Sequence, residues 1–301
     1  MNGVAQQLLN GVLLGGYYAL LACGLSFMFG VMRIINLAHG DLAILGALLV
    51  FVVADNTDIS PFLLLLALIP LMGAFGWALQ RGMLERSLRS GILVPLLTTF
   101  GLAICIENGL FEYFGADERS LAPYIGDFSF DSIAITGNIY IGSLAALIFA
   151  VAVVLLGGLR LFLNYTSLGR AIRATSEDAD TAELVGINAR SVYAVAAAIA
   201  VASAGVAGVF LAMRETFSPY SGPTQLIFAF EAVVIGGIGS LSGTLIGGII
   251  LGVAQTIGAQ INPQGFLIAG HVVFLTVLAG RLAAGAVQAR GGLQRLFARR
   301  S

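Results

Sequence analysis

"PFLLLLALIPLMGAFGWALQ", residues 61–80, holds no charged side chain. A helix of about 20 apolar residues is long enough to cross the roughly 30 Å hydrocarbon core of a bilayer. The whole chain shares this composition, because 58% of its 301 residues are hydrophobic and only 10% are charged. A soluble domain of this size needs far more polar residues to cover its surface. The sequence therefore predicts an integral membrane protein.

The same length criterion divides the rest of the chain into apolar segments. They lie near residues 8–31, 34–54, 61–80, 92–115, 139–160, 191–213, 226–240, 243–260 and 265–283. We therefore predict an all-α fold, a polytopic protein of eight to ten transmembrane helices, as one membrane domain over residues 1–301. The seventh segment is short and runs into the glycine cluster GGIGSLSG, which predicts a broken or re-entrant helix. The N-terminus lacks a positively charged region and a cleavage site, so we expect the first helix to be retained.

The distribution of arginine predicts the orientation, because positively charged short loops stay in the cytoplasm. Arg119 and Arg214 fall on one side of the predicted spans, together with most acidic loop residues. The other thirteen arginines fall on the opposite side: Arg33, Arg81, Arg86, Arg89, Arg160, Arg170, Arg173, Arg190, Arg281, Arg290, Arg295, Arg299 and Arg300. We therefore expect the N-terminus outside and the C-terminus in the cytoplasm. A cytoplasmic loop with a short helix is expected at 161–190, and a basic cytoplasmic tail at 284–301.

Several kinds of catalytic site lack their residues. All fifteen cationic side chains are arginine, so the lysine of a phosphate-binding P-loop is absent and ATP hydrolysis is not expected on this chain. His39 and His271 stand far apart, without the spacing of a zinc motif. Cys23 and Cys105 lie in apolar segments, where a thiol behaves as a small hydrophobic side chain. The GSLSG at 239–243 does not match a serine-hydrolase motif by position. We predict no enzyme, no catalytic residue, no metal site and no cofactor.

The predicted cytoplasmic loop is exceptional for its charge. Its central part, GRAIRATSEDADTAELVGINARSVY at residues 169–193, contains seven charged side chains. Thr175 or Ser176 followed by acidic residues predicts a helix start, and Gly186 suits the end of a helix over about 176–185. Small residues would leave one side of this helix nearly bare, for close approach by another chain: Ala179, Ala182 and Gly186. A solvated connector without a partner is the alternative.

Three stretches carry a resemblance to a known family. DTAELVG, residues 180–186, is similar to a degenerate form of E-A-A-x-x-x-G, the motif by which permeases of ABC transporters insert a short cytoplasmic helix into a groove of their ATPase. INLAHGDLAILGALL (35–49) and EAVVIGGIGSLSGTLIGGIILG (231–252) resemble, in order and spacing, the shorter permease type of the branched-chain amino-acid ABC importers. The likeness covers nearly the whole chain, with Asp180 and Thr181 in place of the glutamate and alanine of the motif.

The resemblance implies a translocation subunit of an ABC importer in the bacterial plasma (inner) membrane, for branched-chain or related amino acids. Its implied partners are a second homologous permease subunit, two ATP-binding subunits, a periplasmic or extracellular solute-binding protein and membrane lipid, with no nucleic acid. The residues expected to couple this chain to the ATPase are those of the charged loop: Arg170, Arg173, Glu177, Asp180, Ala182, Glu183 and Gly186.

Polar residues within spans are candidates for a translocation pathway. Two sets qualify: Asn36, His39 and Asp41, and the carboxylates Glu107, Glu112 and Glu231. The first set lies either at membrane depth or at an interfacial helix start. Each carboxylate of the second set is bracketed by apolar residues, which predicts that it is neutral, paired or facing a polar cavity. Glu231 is the strongest candidate of this set.

Glycines near the broken segment allow two interpretations. Unwound backbone there would line the pathway through Gly236, Gly237 and Gly239. Helix packing is the alternative, because small residues with a four-residue spacing let membrane helices approach closely. That spacing occurs twice: at Gly239, Gly243 and Gly247, and at Gly248 and Gly252.

Two other functions fit the same composition. A proton-coupled secondary transporter of small polar solutes would use Glu107 or Glu231 as its proton carrier. A purely structural subunit of a larger membrane complex would need no pathway residues. The importer is the leading interpretation, because three stretches of the sequence resemble that family.

Overall fold

The computed structural model of the protein describes residues 2–88, 90–91, 93–136 and 139–298, with the backbone alone for residues 2–3, 135–136 and 284–298. Its helices are α1 (Asn2–Met32), α2 (His39–Asn56), α3 (Pro61–Leu79), α4 (Glu85–Leu88), α5 (Leu93–Phe114), α6 (Ser143–Tyr165), α7 (Ser167–Glu177), α8 (Ala179–Leu184), α9 (Ala189–Arg214), α10 (Gly222–Gly236), α11 (Leu241–Ile261) and α12 (Gly265–Ala298). A π-helical turn at Gln80–Leu84 joins α3 to α4, and 3-10 turns lie at Ala122–Ser129 and Pro219–Ser221. Strands β1 (Ser132–Thr136) and β2 (Ile139–Gly142) pair as an antiparallel hairpin, with Ser132 opposite Gly142.

Within these described residues, eight helices are long and apolar enough to cross a membrane: α1, α2, the continuous run from α3 to α4, α5, α6, α9, α11 and the first part of α12. This confirms the predicted all-α, polytopic class. Helix α10 has 15 residues and is too short to be counted among them. It occupies the short seventh segment of the sequence and ends at Gly236, in front of the rest of the glycine cluster.

Helices α1, α2 and α9 form the centre of the bundle. Most of their residues are buried, because other helices surround them. The outer helices α3, α6 and α12 instead expose large apolar side chains, such as Leu66 (70% exposed), Val154 (73%) and Leu275 (57%). Helices that are apolar on all sides are typical of membrane spans, where lipid covers the exposed side chains.

The two ends of the bundle differ in charge. The end that we call acidic exposes Asp55, Asp58, Asp117, Glu118, Asp127 and Asp131. The end that we call basic carries Arg33, Arg81, Arg86, Arg160, Arg170, Arg173, Arg190 and Arg281. Helix α1 starts at the acidic end, where Gln6 bonds to the backbone of Tyr140 in β2. Arg89, Arg299 and Arg300, which were also counted from the sequence, lie outside the described residues. Arg290 and Arg295 belong to the tail from 284 onward, whose side chains are not described either.

Helix α2 begins deep inside the bundle. Helix α1 ends at Met32, and residues 33–38 run back into the bundle without helical structure before α2 begins at His39. The Nε2 atom of His39 lies 2.9 Å from the carbonyl oxygen of Leu21. Leu21 is eleven residues before the end of α1, which corresponds to about 16 Å along the axis of that helix. The apolar segment predicted near 34–54 is therefore helical only from residue 39 onward.

Two glycines in the left-handed region separate α10 from α11. Gly237 has a φ of 105° and Gly239 a φ of 79°, which side-chain-bearing residues rarely adopt. Ser240 then caps α11, because its hydroxyl accepts a hydrogen bond from the backbone N–H of Gly243 at 3.1 Å. Gly236 and Gly243 lie backbone to backbone, since a Cβ at either would collide with the carbonyl of the other.

The β-hairpin is a departure from the sequence prediction. A helix was expected from about residue 139, but residues 139–142 form β2 and α6 begins at Ser143. The β2 sequence IYIG is rich in β-branched and aromatic residues, which fit a pleated, half-buried strand. The hydroxyl of Ser143 donates to Asp131 Oδ2 at 3.1 Å, and this bond links the start of α6 to the residue before β1.

Candidate functional site

A buried polar cluster lies at the start of α2. Asn36, His39 and Asp41 are each at most 2% exposed. Asn36 Oδ1 accepts from the backbone N–H of Ala38 at 3.1 Å, and its carbonyl accepts from the N–H of His39 at 3.2 Å. These bonds turn the chain into the first turn of α2. The cluster therefore lies at the depth of Leu21 and not at an interfacial helix start, which was the alternative left open by the sequence.

Helix α5 holds the non-helical segment before α2 in place. The backbone N–H of Leu37 donates to Thr99 Oγ1 at 3.2 Å, and Thr99 is fully buried. Glu107, two turns further along α5, is partly buried and close enough to Asp41 to interact with it electrostatically. Thr99 could not be predicted from its residue type, because a threonine in an apolar helix is common and usually bonds only to its own helix backbone.

Two acceptor atoms of the cluster have no hydrogen-bond partner within the described part of the chain: His39 Nδ1 and Asp41 Oδ1. A carbonyl only accepts, so the bond to Leu21 requires that Nε2 of His39 carries the proton, which leaves Nδ1 as a bare acceptor in the neutral ring. Asp41 lies in the first turn of α2, where the helix dipole favours a carboxylate. Unsatisfied buried acceptors are costly, and they are typical of functional positions.

The carboxylate of Asp41 lies against Gly222, the first residue of α10. A Cβ at Gly222 would overlap Asp41 Oδ1, and a Cβ at Gly40 would overlap the carbonyl oxygen of Gly222. The first turns of α2 and α10 therefore meet inside the bundle, and only glycine permits this approach.

Glu231 pairs with a residue on another helix. Its Oε1 lies 2.5 Å from Nδ1 of His271 on α12, and its side chain is 3% exposed whereas that of His271 is 47% exposed. Further along, Arg281 donates to the carbonyl of Ile235 at 3.0 Å, in the last turn of α10, where a cation is favourable. His271 was considered from the sequence only as a zinc ligand, and its pairing with Glu231 was not predicted. The sequence feature that could have indicated the pair is that Glu231 and His271 are each an isolated polar residue in an apolar segment.

A second polar network lies nearer the acidic end. The hydroxyl of Tyr17 donates to Gln225 Oε1 at 2.6 Å, and the hydroxyl of Tyr18 bonds to Gln255 Oε1. Arg214 lies over the ring of Tyr17, with its guanidinium carbon 4.9 Å from the ring centroid. These contacts join α1 to α9, α10 and α11, and none of them was predicted from the sequence.

The predicted pathway residues do not form one site. Asn36, His39 and Asp41 lie together, whereas Glu231 lies with His271 on another pair of helices. The three glycines lie at the end of α10 and in the turn that follows it. There, a Cβ at Gly239 would lie 3.2 Å from Cα of Gly30, near the end of α1. Gly236 is engaged in packing on Gly243, so the packing interpretation holds for it. Of the carboxylates expected to be buried, Glu231 is buried and Glu107 partly buried, but Glu112 is exposed, so the expectation for Glu112 was wrong.

The charged loop at the basic end forms two short helices, α7 and α8, instead of the single helix predicted over about 176–185. The hydroxyl of Thr175 donates to the carbonyl of Ala171 and that of Ser176 to the carbonyl of Arg173, so both residues lie inside α7 and cap nothing. Asp178 has an extended backbone, and its Oδ1 accepts from the N–H of Thr181 at 3.1 Å. The cap of α8 is therefore Asp178.

Hydrogen bonds lower the pKa of Asp178. The hydroxyl of Thr181 donates to Oδ2 at 2.7 Å and contributes most to this shift, and the backbone N–H of Thr181 adds to it. The cap is therefore formed by the charged carboxylate and weakens only as the pH falls through the lowered pKa. Gly186 has a φ of 85° just after α8, as expected for a residue that ends a helix.

The exposed surface of α8 differs from the one expected. Ala182 is 3% exposed and turned inward, so the expectation of a bare face through Ala182 was wrong. Two apolar side chains protrude instead, Leu184 at 87% and Val185 at 75% exposure. The charged residues predicted for this loop are exposed around them: Arg170, Arg173, Glu177, Asp180 and Glu183.

An ion pair ties the start of α9, just after α8, to the end of the α3–α4 run, and a second pair lies within that run. Glu85 Oε1 lies 3.3 Å from Nε of Arg190, and Glu85 Oε2 lies 3.6 Å from Arg81. A cleft of about 570 Å³ opens beside them, lined by Met32, Glu85, Asp180, Glu183 and Arg190 among others. Helix α9 starts here and continues to the polar cluster, where the carbonyl of Ala200 and the ring of His39 both lie against Gly24.

Comparisons with known proteins identify the family. Residues 7–292 match the model of the family described as the permease component of the branched-chain amino acid transport system. The chain belongs to this family. It is 35% identical over 267 residues to the high-affinity branched-chain amino acid transport system permease protein BraD of Pseudomonas aeruginosa, covering 85% of this chain and 86% of BraD. It is 33% identical over 263 residues to the corresponding protein LivH of Escherichia coli K12, covering 84% of this chain and 85% of LivH.

The permease is also similar to a second type of protein in that organism. It is 32% identical over 113 residues to the high-affinity branched-chain amino acid transport system permease protein LivM of Escherichia coli K12, covering 37% of this chain and 27% of LivM. No solved structure matches the chain. As a permease with eight membrane-capable helices in its described residues, it is a multi-pass protein of the inner (plasma) membrane.

Proposed function

We propose that this permease is the translocation subunit of an ABC importer for branched-chain or related amino acids. The observation that carries the proposal is the family match over residues 7–292, together with relatives named as high-affinity branched-chain amino acid transport permeases over more than four fifths of their length. A transport subunit of this kind is not itself an enzyme. All fifteen of its cationic residues are arginine, so it lacks the P-loop lysine, and two partner ATP-binding subunits supply the energy.

The solute is delivered by a solute-binding protein outside the cell, and a second homologous permease completes the membrane part.

The acidic end of the bundle, which includes the N-terminus, faces outward, and the basic end faces the cytoplasm, in accord with the positive-inside rule. In this orientation the chain is one membrane domain with a cytoplasmic coupling loop at 161–190 and a basic tail from 284.

The coupling loop contacts an ATPase through α7 and α8. The protruding Leu184 and Val185 fill an apolar groove of that subunit, because exposed apolar side chains on a solvent-facing helix gain most by burial. The exposed charges around them set the orientation through charge-assisted contacts, with Arg170, Arg173 and Glu177 on α7 and Asp180 and Glu183 on α8. Gly186 ends α8 and so fixes where these two apolar side chains protrude.

The polar cluster at the start of α2 lies beside the translocation pathway. Its bare acceptors, His39 Nδ1 and Asp41 Oδ1, are able to accept hydrogen bonds from water or from the ammonium group of an amino acid when the first turns of α2 and α10 separate. Asn36 shapes the turn that presents them. Glu231 and the glycines Gly236, Gly237 and Gly239 support this pathway by holding α10 in place.

A proton-coupled secondary transporter is the second candidate function, and the Glu231–His271 pair is the observation that favours it. A carboxylate and an imidazole 2.5 Å apart inside a membrane are a suitable proton relay. Copurification separates the two functions. Tagged permease expressed from its own host should bring down two ATP-binding subunits and a second permease in stoichiometric amounts, whereas a secondary transporter purifies without an ATPase.

A further inference from the structure

One face of α5 is open although its residues are unsuited to lipid. Around this helix the residues fall into three groups. Pro95, Thr99, Ala103 and Leu110 are buried against the bundle. Leu93, Leu97, Phe100 and Ile104 expose between 45% and 71% of their surface on a second, apolar side. The third group, which we call the α5 stripe, consists of Gly101, Cys105, Asn108, Gly109 and Glu112, all of them exposed.

The α5 stripe has the spacing of a helix-packing surface. Gly101, Cys105 and Gly109 recur every four residues, which places small side chains on one face and lets another membrane helix approach closely. Elsewhere in the bundle, glycines with this spacing are covered: Gly248 and Gly252 of α11 pack directly on the backbone of α1. A Cβ at Gly101 or Gly109 would instead meet no atom within 4 Å among the described residues.

The open glycines of α6 have a different surrounding from those of this stripe. Gly157 and Gly158 on α6 also meet nothing within 4 Å, but exposed apolar side chains such as Val154 and Leu161 surround them, as suits lipid. On α5 the stripe includes the amide of Asn108 and the carboxylate of Glu112. The Asn108 side chain donates one bond to the carbonyl of Ile104 at 2.8 Å, and its own oxygen has no hydrogen-bond partner among the described residues. Such groups are costly against hydrocarbon and require protein or water.

The stripe is also next to the buried polar cluster. Thr99 on the buried side of α5 holds Leu37, and Phe111 packs on Tyr220 just before α10, with ring centroids 5.2 Å apart. Anything that packs on the stripe therefore lies one helix away from the meeting point of α2 and α10.

We propose that the second permease subunit of the importer packs on the α5 stripe through its own corresponding helix, so that the seam between the two permeases runs along α5. This proposal rests on the proposed function. The partner is a different chain of the same family, because the permease resembles both LivH and LivM of one organism, two permease proteins of a high-affinity branched-chain amino acid transport system. Two related helices then present small and polar residues to each other and apolar residues to lipid.

Site-specific photo-cross-linking in the intact importer tests the proposal. A benzophenone amino acid is placed at Cys105, and in separate controls at Phe100 and Ile104, which lie at similar depth on the apolar side. Cross-linked products are identified by mass spectrometry of their peptides. We expect the Cys105 position to yield the second permease at least about tenfold more than either control position. Capture of a second copy of this chain, or of nothing but lipid, by an intact complex would overturn the proposal.

Bulky substitutions give an independent readout. Gly101→Leu combined with Gly109→Leu should lower recovery of the second permease with the tagged chain by about tenfold or more, because the larger side chains prevent close approach. Gly157→Leu, at an equally open glycine on α6, should leave recovery unchanged. Equal recovery in both variants would contradict the assigned surface. If the wild-type chain brings down neither a second permease nor an ATPase, the proposed function fails instead.

Discussion

Glu231 Oε1 and His271 Nδ1 lie 2.5 Å apart and join α10 to α12, the least buried of the eight candidate spans in the described residues. If this pair is structural, Glu231→Gln should keep ATP-driven uptake within about twofold of wild type, because an amide still hydrogen-bonds to the ring. Glu231→Leu should lower the free energy of unfolding by roughly 1–3 kcal/mol, since the partner is lost. Thermal unfolding of the purified importer and vesicle uptake measure both effects. Abolished uptake in Glu231→Gln at wild-type stability would instead identify Glu231 as a proton carrier.

The meeting point of α2 and α10 should not tolerate a methyl group. Gly40→Ala and Gly222→Ala place a Cβ onto the carbonyl of Gly222 and onto the carboxylate of Asp41, respectively. We expect each to destabilise the protein by about 1–3 kcal/mol, although alanine is otherwise the better helix former. Gly158→Ala on α6 is the matched control, because its Cβ meets nothing within 4 Å. Unfolding midpoints that fall equally in all three variants, or in none of them, would mean that this close approach is not formed.

The apolar tip of α8 should be needed for ATPase binding and not for folding. Leu184→Ser combined with Val185→Ser removes two exposed apolar side chains, so membrane insertion and thermal stability should not change. Recovery of the ATP-binding subunits should fall by about tenfold or more, as for the loss of a central interface contact. Met83→Ser, which alters another exposed apolar residue near the basic end, serves as control. Full recovery of ATPase with the double variant would remove α8 from the interface.

The basic end should face the cytoplasm. A reporter that fluoresces only in the cytoplasm is expected to be bright when it is fused to the C-terminus or inserted after Gly186. It should be dark when it is inserted after Asp58, at the acidic end. The reverse pattern would overturn the orientation proposed from the arginines.

The sequence was sufficient to predict the class of the fold, because apolar length is a direct consequence of crossing a bilayer. It was not sufficient to predict where α2 begins. Residues 33–38 are nearly as apolar as the helices around them, and they leave the helical path only because Asn36, Leu21 and Thr99 satisfy the backbone and ring groups there. Partners distant in sequence decide such breaks, and a local pattern does not reveal them.

The same reason explains the outcome at the candidate sites. Gly186 was correctly placed at the end of a helix, because a left-handed glycine is a local feature. The cap at Asp178 was missed, since Thr175 and Ser176 are equally good caps by residue type and only their hydrogen bonds to the preceding turn show that they lie inside α7. His271 was passed over as a partner of Glu231, because forty residues separate them and each lies alone in an apolar helix.

The central claim, that this permease moves its solute at the expense of ATP hydrolysed by partner subunits, is tested most directly by uptake into proteoliposomes. The vesicles contain the permease, its second permease and the ATP-binding subunits, with the solute-binding protein and a radiolabelled branched-chain amino acid outside and ATP inside. A protonophore collapses any proton gradient. We predict accumulation that requires internal ATP and is unaffected by the protonophore. Accumulation that proceeds without ATP and stops when the gradient is collapsed would contradict the account.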